Sequence, residues 1–139
     1  MRDEVAAGYA DAGLAGDAVR VSAFIEDMSA PYRWCDLVLC RAGATSLAEL
    51  AVVGCPAVLV PFPYAADNHQ EHNATALVDA GGARMVLERD LTPDSLAALL
   101  ATLLGSPATL AEMRDGMRGE GRPQAGEAIC AELRELASG

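Results

Sequence analysis

In DLVLCRAGATSLAELAVVGCPAVLVPF, residues 36–62, two short apolar runs flank a segment with helical spacing. The first run, 36–41, and the last, 56–62, are too short for helices and lack polar/apolar alternation. Such continuously apolar strands are expected in a parallel sheet covered by helices on both faces. The segment between them, 45–54, ends at Gly54, a common helix stop. Strand, helix and strand with short loops make one βαβ unit, which favours a doubly wound α/β layer.

Working outward, the pattern repeats. Upstream, VRVSAF (19–24) reads as a strand and DMSAPYRWC (27–35) as a short helix opened by Asp27. Downstream, NHQEHNATALVDAG (68–81) reads as a helix and ARMVLE (83–88) as a strand. The rest is helical. TPDSLAALLATLLG (92–105) has a Thr92 cap and Pro93 in its first turn, and SPATLAEMRDGMRG (106–119) repeats the Ser-Pro opening. PQAGEAICAELRELA (123–137) follows. Leu96, Leu99, Leu100, Leu103 and Leu104 are expected in the core. The chain opens on a helical segment, DEVAAGYADAG (3–13), with no strand before it. A first βα unit is therefore expected to be absent, leaving an α/β core over about 15–105 and a helical region over about 106–139 of one partial domain, 1–139.

Composition narrows the function. The 139 residues carry a net charge of −10, and the basic residues are all Arg. That balance argues against nucleic acid or an anionic membrane surface as the main partner. No run approaches the ~20 apolar residues of a membrane span. Cys35, Cys40, Cys55 and Cys130 show no CxxC spacing and read as reduced, mostly buried thiols. A zinc site from Cys55, His69 and His72 has no ligand pair at a recognised spacing. No metal site is expected.

In doubly wound sheets, ligands lie beyond the carboxyl ends of the strands. Three loops are expected there: FIEDM (24–28), RAGATS (41–46) and PFPYAADNHQ (61–70). A helix starting near Thr45 presents free N–H groups and a positive dipole end, which suits a phosphate. Gly43 would permit close approach and Ser46 adds a hydroxyl. RAGATS is neither a Walker loop nor GxGxxG, so an ordinary capped helix start accounts for it equally well. Glu49, one turn further, is either a solvated helix residue or an acceptor for a diol. Its position alone favours the solvated reading. DNHQEHN (67–73) gathers Asp67, His69, Gln70 and Asn73 at a helix start, with His69 and Asn73 on one face. Amide and imidazole groups placed so can read sugar hydroxyls. No Ser/His/Asp set, HExxH or close carboxylate pair supports hydrolysis.

FIEDM, RAGATSLAEL and DNHQEHNA at these spacings resemble the carboxyl-terminal domain of family 28 glycosyltransferases, over about residues 5–105. The likeness is strongest to those members that build peptidoglycan. It implies a Rossmann-like half of a GT-B enzyme that binds UDP-N-acetylglucosamine. By that resemblance Phe24, Ile25 and Met28 would hold the uracil and nucleoside, and Ala44, Thr45 and Ser46 the diphosphate. Glu49 would take the ribose hydroxyls, which reverses the reading of its position alone. His69 and Gln70 would contact the sugar. Arg41, Gly43, Asp67 and Asn73 would support the site, Arg41 either on the ligand or in the loop.

The implied reaction is inverting transfer of N-acetylglucosamine to a lipid-linked muramyl-pentapeptide, with no metal or other cofactor. The acceptor, the catalytic base and the peripheral contact with the cytoplasmic face of the membrane would belong to another domain. This chain would hold no catalytic residue of its own and would be inactive alone. Two alternatives stay open: another GT-B UDP-sugar transferase, and a non-catalytic or split-subunit nucleotide-sugar-binding module.

Overall fold

The computed structural model describes residues 1–14, 16–64 and 68–137. The chain divides into two compact units, 1–31 and 32–139. The first contains helix α1 (Arg2–Asp11) and a single 3-10 turn, Gly16–Ala18. No strand forms over 19–24, contrary to the sequence expectation. Val19 and Val21 favour a strand, but a strand exists only in a ladder that pairs its N–H and C=O groups. Among the described residues of this unit there is no partner strand.

Helix α2 (Ser29–Trp34) crosses the division, and its first N–H, at Ser29, donates to Asp27 Oδ1 at 2.8 Å. The second unit then runs β1 (Val38–Cys40), α3 (Ala44–Val53), β2 (Ala57–Leu59), α4 (His69–Asp79) and β3 (Ala83–Met85). After a 3-10 turn at Glu88–Asp90 come α5 (Pro93–Leu104), α6 (Pro107–Glu120) and α7 (Ala125–Ala137). The strands form one parallel sheet in the order β1-β2-β3, with Cys40, Leu59 and Met85 in register at their carboxyl ends.

Neighbouring side chains of a strand point to opposite faces, and Ala57, Val58 and Leu59 are all fully buried. Both faces of β2 are therefore covered, as the unbroken apolar runs predicted. Val58 packs with Leu103, Leu110 and Met113 from α5 and α6, flanked by Leu37, Val86, Leu99 and Leu100. Leu104, expected in the core, is 53 % exposed. It sits at the edge of the helical stripe that Leu99, Leu100 and Leu103 define.

Two glycine positions fix the connections. Gly54, at φ 76°, ends α3 in the left-handed region, where it avoids a Cβ clash. Its N–H and that of Cys55 both reach Leu50 O at 2.9 Å, closing the helix. Gly116 on α6 lies against the Ala80–Gly82 turn so closely that a Cβ there would run into backbone atoms. That approach lets α6 pack beside α3, α4 and β3. No single helix among the described residues is long and apolar enough to cross a membrane.

Candidate functional site

The β1–α3 connection is short, so α3 begins within four residues of the carboxyl end of β1. Gly43 is its N-cap, with extended backbone (φ −69°, ψ 137°) and no capping side chain. The first helical bond is donated by Leu47 to Gly43 O, at 3.0 Å. The N–H groups of Ala44, Thr45 and Ser46 thus have no intrahelical acceptor, as at every helix start. Among the described residues nothing else accepts from them. A Cβ added at Gly43 would meet no atom within 4 Å beyond its chain neighbours, so the backbone is uncrowded at the cap.

Glu49 lies four residues after Thr45, on the same helix face and about 6 Å further along the axis. Its carboxylate is exposed, and Oε2 accepts a hydrogen bond from the Tyr32 phenol at 3.1 Å. Burial, then the bond to the Glu49 carboxylate and its charge, push the Tyr32 hydroxyl up to about 12. Tyr32 therefore stays protonated, and remains a donor, throughout the neutral range.

The β2–α4 loop supplies the other side chains. Gln70, in the first turn of α4, accepts from the Phe62 N–H through Oε1 at 2.9 Å. That bond pins the loop to the helix and leaves the amide NH₂ as a donor. His69 is exposed and Asn73 half-buried. Asn73 makes no side-chain hydrogen bond among the described residues, so of the two α4 amides it is Gln70 that is seen bonded to the loop. Asp67 lies outside the described residues.

Arg41 has a structural task. Its guanidinium donates to Val60 O at 3.3 Å, Pro61 O at 3.4 Å and Glu88 Oε2 at 2.6 Å. It also lies over the Phe62 ring, 5.5 Å from the centroid, and Phe62 meets Tyr64 edge-on at 5.6 Å. One side chain thus gathers the exits of β1 and β2 and the turn after β3. Beside it is an open hollow of about 300 Å³ lined by Leu39, Cys40, Arg41, Val60, Glu88 and Leu91. Phe24, Ile25 and Met28 belong to the first unit, where Phe24 and Ile25 are exposed at 80 % and 44 % and Met28 is half-buried.

Tyr32 and Glu88 were not anticipated from the sequence. Their partners lie 17 and 47 residues away, beyond any local spacing rule. The cysteines are all reduced. Cys35 and Cys55 meet with their sulfurs 3.1 Å apart, and burial first, then the Cys35 thiol, push Cys55 up to about 12. Among the described residues no group of three or more His, Cys, Asp and Glu is arranged to hold a metal ion.

A covered parallel sheet with an open helix start at its carboxyl edge defines an α/β domain of Rossmann type. Sequence comparison then fixes the family: residues 3–129 match the glycosyltransferase family 28 C-terminal domain, and the chain belongs to that family. It is 46 % identical, over 99 % of its length, to a UDP-N-acetylglucosamine–N-acetylmuramyl-(pentapeptide) pyrophosphoryl-undecaprenol N-acetylglucosamine transferase of Nitratidesulfovibrio vulgaris. To the transferase of the same description from Chromohalobacter salexigens it is 52 % identical over 88 % of its length. The crystal structure of Acinetobacter baumannii MurG superposes with a TM-score of 0.86 at 37 % identity, covering 96 % of this chain and 38 % of that one. The chain spans 37 % and 33 % of the two curated relatives, about a third of their length.

Proposed function

We propose that this chain is the donor-binding part of an inverting N-acetylglucosaminyltransferase of peptidoglycan synthesis, and that it binds UDP-N-acetylglucosamine. The observation that carries the reading is the face of α3. Three unpartnered N–H groups stand at its start, with a carboxylate one turn on. A nucleoside diphosphate has the matching pattern, anionic phosphates followed by a vicinal diol. The N–H groups of Ala44, Thr45 and Ser46, helped by the Ser46 hydroxyl and the uncrowded backbone at Gly43, receive the diphosphate. Glu49 accepts from the ribose hydroxyls. His69 and the free NH₂ of Gln70 read the sugar, with Asp67 and Asn73 as supporting residues. Phe24, Ile25 and Met28 take the nucleoside. Arg41 holds the loops rather than the ligand.

In the proposed reaction the C4 hydroxyl of a lipid-linked muramyl-pentapeptide attacks the anomeric carbon of the donor. The bond from that carbon to the diphosphate oxygen breaks, and configuration inverts. Negative charge grows on the departing UDP, where the positive end of α3 stabilises it without a metal or other cofactor. Proton removal from the acceptor falls to a group outside this chain. The acceptor's undecaprenol tail would place the work at the cytoplasmic face of the membrane.

Calorimetric titration tests the reading. UDP should bind the chain and UDP-N-acetylglucosamine should bind more tightly than UDP-glucose. Glu49→Ala should weaken UDP by about ten- to a hundredfold, the loss of hydrogen bonds to a charged group. Unchanged UDP affinity in that variant would overturn the ribose assignment.

A further inference from the structure

Glu49 is an exposed side chain with several rotatable bonds, and left alone it would sample many orientations around α3. A diol acceptor works best when its carboxylate is held before the ligand arrives, because ordering it afterwards lowers affinity. One group does the holding. The Tyr32 phenol, 9 % exposed, reaches across from α2 and donates to Glu49 Oε2 at 3.1 Å. Tyr32 is itself fixed: Cys35 Sγ lies 3.6 Å from its carbonyl oxygen and 3.1 Å from Cys55 Sγ, on the turn that closes α3. The phenol and the helix bearing Glu49 are thus tied at two points.

We propose that Tyr32 is a positioning residue for Glu49, holding the carboxylate through Oε2 so that Oε1 and the remaining Oε2 lone pair stay available to the ribose diol. An ionised carboxylate offers about four acceptor sites, so one phenol does not exhaust it. A phenol that stays neutral also adds no negative charge near the diphosphate. This inference rests on the assignment of Glu49 to the ribose.

The test compares UDP with 2′,3′-dideoxy-UDP on the 139-residue chain by calorimetry. The preference for UDP reads the diol contact alone, since a general loss of fold or phosphate binding lowers both ligands equally. Wild type should prefer UDP, Glu49→Ala should abolish the preference, and Tyr32→Phe should reduce it about three- to tenfold. In the Glu49→Ala background, Tyr32→Phe should change nothing further. If Glu49→Ala abolishes the preference while Tyr32→Phe keeps the wild-type value, the positioning role is overturned and the ribose assignment stands. If wild type shows no preference, or Glu49→Ala retains it, the ribose assignment falls and the role of Tyr32 with it. Should Tyr32→Phe prove unfolded, the Tyr32 phenol titration in Glu49→Ala decides. A lower midpoint than wild type supports the contact, and an unchanged one refutes the inference.

Discussion

Helices α3 and α5 both follow a strand of the same sheet, yet they begin in opposite ways. At α5, Thr92 Oγ1 accepts from the Ser95 N–H at 3.1 Å while Ser95 Oγ accepts from the Thr92 N–H at 2.9 Å, with Pro93 in the first turn. There the Ser95 N–H is taken by Thr92 and Pro93 has no N–H to offer, so the first turn is largely closed by the chain itself. At α3 the cap is Gly43, no side chain reaches back, and three N–H groups have no acceptor among the described residues. A glycine cap in place of Ser, Thr, Asn or Asp costs a helix start only roughly a few tenths of a kcal/mol. The α3 end bears that small cost where the proposed diphosphate would lie. Leaving donors unsatisfied is a stability cost and a binding capacity at once.

The most drastic way to break this contrast is to close the open end. Gly43→Asp should supply α3 with a side-chain cap, hold or slightly raise the denaturation midpoint, and lower UDP affinity more than tenfold. A smaller change comes from the closed end. Thr92→Ala should cost about 1 kcal/mol in urea denaturation and leave UDP affinity unaltered. Ser46→Ala should do the reverse, weakening UDP about threefold to tenfold with little change in stability. If Ser46→Ala destabilises the fold as much as Thr92→Ala, the two helix ends are alike and the contrast fails.

Alkaline pH sharpens the same comparison with a smaller effect. Tyr32 and Cys55 are raised from 10.0 and 9.0, each to about 12, so folding favours their neutral forms. Their contribution is fully present below about pH 9 and is lost as pH rises towards 12. The cap of α5 is built from hydroxyls that do not titrate there. Urea midpoints should therefore decline above pH 9 in wild type, and Tyr32→Phe should remove part of that decline above pH 10.

The βαβ unit at 36–62 was legible because strand length, helix length and Gly54 all pointed the same way. So were the Thr92 cap and the starts of α4 and α6. The run at 19–24 misled because alternating Val residues register propensity, whereas a strand also needs a ladder. Leu104 misled because composition marks a helix as apolar without fixing which leucines face inward. Within the site, the residues of α3 could be named from spacing and resemblance, but their partners could not. Glu49 is exposed, as its position alone suggested, but nothing local reveals that Tyr32 donates to it, or that Val60, Pro61 and Glu88 come together around Arg41. Long-range contacts of this kind follow from the fold and leave no periodic trace in the sequence.

Backbone amide NMR of the labelled chain during titration with UDP tests the central claim most directly. The account predicts that the amide signals of Ala44, Thr45 and Ser46 shift strongly and in a saturable way, while those of Asp94 and Ser95 at the closed start of α5 stay in place. Equal shifts at both helix ends, or none at residues 44–46 with UDP in excess, would contradict it.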